Sequence, residues 1–298
     1  MTDRLQELTV FVRAAESGNF SRAARELGLS QPSVSRIIGD LESRLGAKLL
    51  LRTTRRVVPT DAGQVFLDRA RQVMRDLEEA EDAARGVDSL NGTIRVAMSV
   101  TFGTREIIPL LPRFLAAHPL LKVEMLMSES RQDLVMDGVD MAIRLGRLSD
   151  SGFGARRLAT APRLVVAAPA YLRERGTPRT LADLSSHDCV FGPARASRQG
   201  WAFRRGGKFV PVDVDGRVSI ASGEGVIACV KAGLGIAVAS LWMCRAELAA
   251  GDVVRVLDHE VLEPTDVHAV FPAGPRPSAK VRALADHLAS ALVDDNTV

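Results

Sequence analysis

Apolar residues recur at three- and four-residue steps through the first part of the chain. Leu5, Leu8, Val12 and Ala15 place one stripe on a first helix, which Gly18 and Asn19 stop. Ser21 is placed to cap a short second helix over 22–27, where Ala23, Ala24 and Leu27 pack closely before Gly28 turns the chain. Ser30 caps again, and Pro32 stands in a first turn that needs no N–H. Val34, Ile37, Ile38, Leu41 and Leu45 then mark the buried face of a longer third helix. Residues 48–52 and 56–59 flank 53–55 and read as a small hairpin with a basic tip. Thr60 is placed to cap a helix reaching about residue 85.

On that fourth helix Phe66, Ala70, Val73, Leu77, Ala80 and Ala84 alternate steps of four and three, which is a heptad seam. Two readings fit it: pairing with a partner helix, or packing on its own domain. Beyond Gly92 the period changes to short strands at 93–99, 122–127, 141–145 and 164–168. Helical stretches lie between and after them, at 105–117, 132–137, 169–175, 224–231 and 280–292. Pro109 and Pro112 weaken the first of these helices. Alternation of this kind predicts an α/β region, with 233–238 as a turn into another buried strand.

At 298 residues, with 46% apolar and 25% charged positions, the chain has material for more than one core. Its apolar runs, such as 164–170, fall short of the roughly 20 residues that span a bilayer, so no membrane helix is expected. Met1-Thr2-Asp3-Arg4 does not open a secretory signal, and Cys189, Cys229 and Cys244 fit neither a disulfide framework nor zinc spacing. The cytoplasm is the expected compartment. Net charge is only +3, but basic residues are in excess in the first sixty positions and 61–88 is acidic. A basic footprint confined to one unit marks a nucleic-acid reader.

Two helices joined by a tight glycine turn form a helix-turn-helix, whose second helix presents polar N-terminal residues to a major groove. Here those residues are Gln31, Ser33, Ser35 and Arg36. Glutamine and arginine pair bidentately with adenine and guanine edges, and serine reaches phosphate or base without obstructing approach. Arg52, Arg55 and Arg56 give the hairpin the charge of a wing beside the groove.

The stretch 19–24, Asn-Phe-Ser-Arg-Ala-Ala, followed by Leu29-Ser30-Gln31-Pro32-Ser33-Val34-Ser35-Arg36, Leu41-Glu42 and Leu45-Gly46, resembles the LysR-type transcriptional regulators. Arg52-Thr53-Thr54-Arg55-Arg56 and Thr60-Asp61-Ala62-Gly63 continue the likeness, which extends more weakly along the whole chain. It implies an N-terminal all-α winged helix-turn-helix over 1–60 and a dimerisation linker helix over 61–90. A two-lobed α/β effector domain, similar to periplasmic binding proteins, is implied over 91–298. Lobe I is expected at about 91–161 and 267–298 and lobe II at about 162–266, with crossovers near Ala161-Pro162 and Thr265 to His268. The implied DNA-contacting set adds Ser21, Pro32 and Thr53 to the residues above. The implied partners are double-stranded DNA, a small-molecule effector and a second subunit through the linker helix, with dimers pairing into tetramers. RNA polymerase is left open as a further partner.

Ligands of open α/β sheets sit at strand C-terminal ends. Ser99-Val100-Thr101 and Ser128 occupy such ends and Arg144 closes a third, so hydroxyls and one guanidinium are available for a small organic acid. The resemblance supports Ser99, Thr101 and Ser128 among these and adds Phe191 and Ser222 as candidates across the cleft.

Enzymatic readings are weaker. Gly223-Glu224-Gly225-Val226-Ile227-Ala228 matches a dinucleotide fingerprint, but the strand that follows ends Val238-Ala239-Ser240 with no acidic residue for a ribose. His187 and Cys189 supply neither a triad nor a ligand set, and read as a surface histidine and a packed cysteine. No cofactor or metal is expected. A ligand-indifferent architectural DNA binder is the remaining alternative to an effector-responsive regulator.

Overall fold

The computed structural model describes residues 3–52, 57–84, 90–130, 134, 137–148, 152–192, 201–272, 274–275 and 277–294. The chain divides into two compact units, 1–90 with 133–139, and 91–132 with 140–298.

In the first unit α1 (Arg4–Ser17) begins at Asp3, whose Oδ1 accepts from Leu5 N, and ends at Gly18 with φ +62°. The cap of α2 (Phe20–Glu26) is Asn19 rather than the expected Ser21, because the Asn19 Oδ1 accepts from Ser21 N at 2.8 Å and Arg22 N at 3.1 Å. One amide oxygen satisfies two helix-end donors there, and the burial of Phe20 draws that residue into the first turn. α3 (Gln31–Leu45) is capped by Ser30, which accepts from Ser33 N at 3.2 Å, and closes at Gly46 with φ +67°. Val10, Phe11 and Ala14 of α1, Ala23 and Ala24 of α2, and Val34, Ile37, Ile38 and Leu41 of α3 form one core. Each large aliphatic side chain buried there contributes about 1.5–3 kcal/mol.

β1 (Leu50–Arg52) and β2 (Val57–Pro59) pair antiparallel, with Arg52 opposite Val57. α4 (Asp61–Ala84) follows at once, and Thr60 Oγ1 accepts from Gly63 N at 2.9 Å, as the sequence predicts. The heptad seam divides. Ala70, together with Leu67, is buried in the head's core, and the Phe66 ring meets Phe11 edge-on with centroids 5.2 Å apart. Val73 remains 46% exposed. A stripe of this period suits either kind of neighbour. α1 takes its first two positions because an intrachain surface carries no association cost. Ala80 and Ala84 lie outside the residues whose side chains are described.

In the second unit β3 (Gly92–Met98) lies between β4 (Leu121–Met127) and β5 (Met141–Leu145), parallel to both. β14 (Thr265–Phe271) joins β5 antiparallel and carries β6 (Gly154–Ala161) at the far edge. α10 (Ala279–Asp294) packs on β6. The helix expected over 105–117 is a chain of shorter pieces. α5 (Val100–Phe102) runs into a π-turn at Gly103–Ile107, a 3-10 turn at Ile108–Leu110 that holds Pro109, and α6 (Leu111–Ala117) with Pro112 in its first turn. Of the helix expected over 132–137, residues 132–133 and 135–136 lie outside the described residues, and Leu134 and Asp137 are in turns.

Past Pro162 the chain enters a different sheet. β7 (Arg163–Ala167) is the middle strand between β12 (Ala237–Ser240) and β13 (Val254–Val256), antiparallel to both. α7 (Pro169–Arg175), the parallel pair β8 (Val190–Phe191) and β11 (Val218–Ser219), and the hairpin of β9 (Ala202–Arg205) with β10 (Lys208–Pro211) complete this lobe with two further helices, α8 (Gly223–Lys231) and α9 (Leu241–Ala250). Its core gathers Val165, Ala167, Leu184, Trp201, Phe203, Ile236 and Leu262. The chain returns to the first sheet at Thr265, opposite Ala161 where it left. No helix among the described residues is long and apolar enough to cross a membrane.

Candidate functional site

The buried stripe of α3 turns its other face outward. Gln31, Pro32 and Arg36 are exposed, Ser33 and Ser35 half-buried, and Ser21 at the start of α2 is exposed. The Ser33 hydroxyl sits 2.8 Å from Ser30 Oγ and so belongs partly to the cap. Among the described residues the Gln31 and Arg36 side chains have no hydrogen-bond partner, which leaves their donors and acceptors for a ligand.

What holds this helix against the hairpin is Glu42. Its buried carboxylate accepts from Leu49 N at 2.9 Å, Leu50 N at 3.1 Å and Lys48 Nζ at 2.6 Å. Burial opposes the charge, but the Lys48 ammonium and the two amides outweigh it and hold the carboxyl below its ordinary pKa. Arg44 of α3 donates to Glu7 of α1 at 3.2 Å, and Val57 N of β2 donates to Gly18 O at 2.8 Å. Glu42 lies four residues after Ile38 on the apolar stripe of α3; that a charged residue stands there is the signal by which its structural role is legible. The backbone of Arg52 ends β1, while Thr53, Arg55 and Arg56 lie outside the described residues.

In the second unit a cavity of about 900 Å³ opens between the two lobes. Ser99, Thr101, Ser128 and Arg144 line it from the five-stranded sheet's side, and Phe191 lines it from the other lobe. Of the remaining sequence candidates, Val100 is not among the lining residues. Neither is Ser222, whose hydroxyl caps α8 by accepting from Gly225 N at 3.3 Å. Ser128 N is held by Met98 O at 3.0 Å, and Ser128 Oγ lies 2.8 Å from Ser130 Oγ. Sequence reasoning missed Arg163, Ser240 and Trp242, which also line the cavity.

One side of the cleft is closed by contacts between lobes. Thr101 Oγ1 accepts from Glu224 N at 3.1 Å, and the Phe102 and Trp242 rings meet edge-on with centroids 4.9 Å apart. Arg105 of the π-turn reaches Glu224 on α8 and Glu247 on α9. Gly223 makes room for this approach, since a Cβ there would stand 2.9 Å from Thr101 Oγ1.

His187 is buried rather than at the surface, with Nδ1 3.1 Å from the Tyr171 hydroxyl, and burial lowers its pKa. Burial likewise pushes the Cys189 and Cys244 thiols up to about 12, the opposite of an activated nucleophile. Among the described residues no cluster of three His, Cys, Asp or Glu side chains could hold a metal ion.

Residues 5–64 match the bacterial regulatory helix-turn-helix protein, lysR family, and residues 88–293 match the LysR substrate binding domain. The chain belongs to the LysR-type transcriptional regulators. Over 286 residues it is 34% identical to the transcriptional regulator DmlR of Escherichia coli K12, covering 95% of this chain and 93% of that protein. It is 31% identical over 294 residues to the regulator CrgA of Neisseria meningitidis serogroup C, covering 98% of each. The solved structure of CrgA from Neisseria meningitidis matches with a TM-score of 0.62 at 30% identity, over 98% of this chain and 99% of that one. The LysR-type regulator therefore reads DNA through its helix-turn-helix and carries an effector-binding domain C-terminal to it in sequence.

Proposed function

We propose that the regulator recognises a pseudo-palindromic operator through α3 of paired subunits and changes its grip on that DNA when a small organic acid enters the cleft. The observation that carries this reading is the outward face of α3. Gln31 and Arg36 stand exposed beside Ser33 and Ser35, on a helix fixed from behind by Glu42 and Arg44. Gln31 and Arg36 read base edges, while Ser21, Pro32, Ser33 and Ser35 set the approach. Arg52, Thr53, Arg55 and Arg56 of the hairpin add phosphate attraction.

In the cleft Ser99, Thr101 and Ser128 supply hydroxyl donors and Phe191 an apolar wall, with Arg144 as a cationic partner. A ligand held by both lobes favours one lobe arrangement by its differential affinity, and the paired heads change spacing with it. Val65 and Val73, 57% and 46% exposed on α4, support pairing through that helix into a dimer, with tetramers built from dimers.

Genome-wide mapping of DNA cross-linked to the regulator tests this. Enriched fragments are expected to share an inverted repeat with half-sites about one or two helical turns apart. Fragments with no common motif reject the operator reading.

A further inference from the structure

Arg163 opens β7 just after the chain crosses between lobes, and its partly buried side chain lines the cavity. Among the described residues its guanidinium makes no hydrogen bond and no ion pair. Glu263 and Asp266, two carboxylates of the same lining, are engaged elsewhere. Glu263, whose field reaches Arg163, accepts from Arg147 at 2.6 Å, and Asp266 accepts from Thr160 Oγ1 at 2.6 Å. Burial works against the Arg163 charge, Glu263 offsets it only in part, and a guanidinium keeps its proton inside proteins. A desolvated cation without a bonded anion is costly.

The ring of Trp242 lines the same cavity, while its Nε1–H is buried out of a ligand's reach. An unpaired guanidinium on the cavity wall calls for an oxyanion as its partner.

We propose that Arg163 is an anion-binding residue of the effector cleft beside Arg144, holding a carboxylate or phosphate group of the ligand. This rests on the reading of the cleft as the effector site and adds the group that fixes the ligand's charge. Its position also links binding to lobe movement. Arg163 pairs in register with Ser240, and Ser240 Oγ donates to Thr265 Oγ1 at 3.4 Å on the strand that returns to the first lobe. An anion at Arg163 thus sits where the chain passes between lobes in both directions.

Thermal unfolding of the full chain with sodium succinate, sodium benzoate and sodium phosphate tests the proposal, with succinamide, benzamide and sodium chloride as uncharged and ionic-strength controls. At least one oxyanion is expected to raise Tm saturably where the controls do not. A response to succinate or benzoate alone assigns a carboxylate, and a response to phosphate alone a phosphoryl group. Arg163→Met should weaken that response about tenfold or more and leave the unliganded Tm equal to or above that of the unsubstituted protein. The proposal is overturned if no oxyanion acts, if the response survives Arg163→Met, or if the unliganded variant melts several degrees lower, which makes the arginine structural. Should the amides stabilise the protein and the anions not, the cleft remains an effector site and only the role of Arg163 falls.

Discussion

Arg105 and Glu224, from opposite lobes of the effector domain, meet in a bidentate pair with Nε to Oε1 at 2.6 Å and Nη2 to Oε2 at 2.7 Å. The same guanidinium holds Glu247 at 2.9 and 2.8 Å, so one cation of the first lobe ties two helices of the second. Glu224 is also the residue whose backbone amide bonds Thr101, a lining residue of the cleft. Glu224 therefore joins the pair between lobes to a residue in the wall of the cleft.

Arg105→Ala leaves Glu224 and Glu247 facing each other without their cation and should cost on the order of 2 kcal/mol in the effector domain. Arg105 holds both carboxyls below their ordinary pKa. Their contribution is thus fully present above the unfolded value of about 4.3 and is lost as the pH falls through the depressed folded values. Urea unfolding between about pH 3 and 7 should show the gap between the two proteins narrowing toward acid. A gap that stays constant with pH contradicts the assignment.

At Gly63 a Cβ would lie 1.8 Å from Leu49 O, so the first turn of α4 rests directly on the backbone leading into β1. Gly63→Ala should destabilise the head by about 3 kcal/mol or more, read as a loss of its cooperative thermal transition. An unchanged transition places α4 differently.

Cys189 and Cys244 are buried with their pKa near 12, while Cys229 is half-buried. Maleimide labelling of the native protein near pH 7 should modify Cys229 first and reach the other two only on denaturation. Fast labelling of all three in the folded protein contradicts this packing.

Local signals were the legible ones. Ser30 and Thr60 cap where the sequence predicts because a cap needs only its own next three residues. Asn19 and Ser21 are both competent caps, and the choice between them follows from the burial of Phe20, a tertiary fact. The stripe on α4 carries no mark of which neighbour it meets, so the loss of Phe66 and Ala70 to the head was hidden. In the cleft, serine and threonine at strand ends were visible from topology. The significance of Arg163 was not, because it depends on Glu263 being held by Arg147, 116 positions away.

Arg55 lies outside the described residues, and its basic hairpin context predicts a phosphate contact. Arg55→Ala should weaken related and unrelated duplexes alike and reduce the salt slope of log K by about one. A loss confined to the cognate duplex assigns it to base reading instead.

The most direct measurement is competition binding of the full chain at fixed moderate salt, between a genomic duplex it occupies in cells and a scrambled duplex of equal length and composition. The exposed Gln31 and Arg36 predict a clear preference for the genomic duplex that Arg36→Ala lowers, by about 1–3 kcal/mol of discrimination, with affinity for the scrambled duplex little changed. Equal affinity for both duplexes, or a preference untouched by both Gln31→Ala and Arg36→Ala, contradicts recognition through α3.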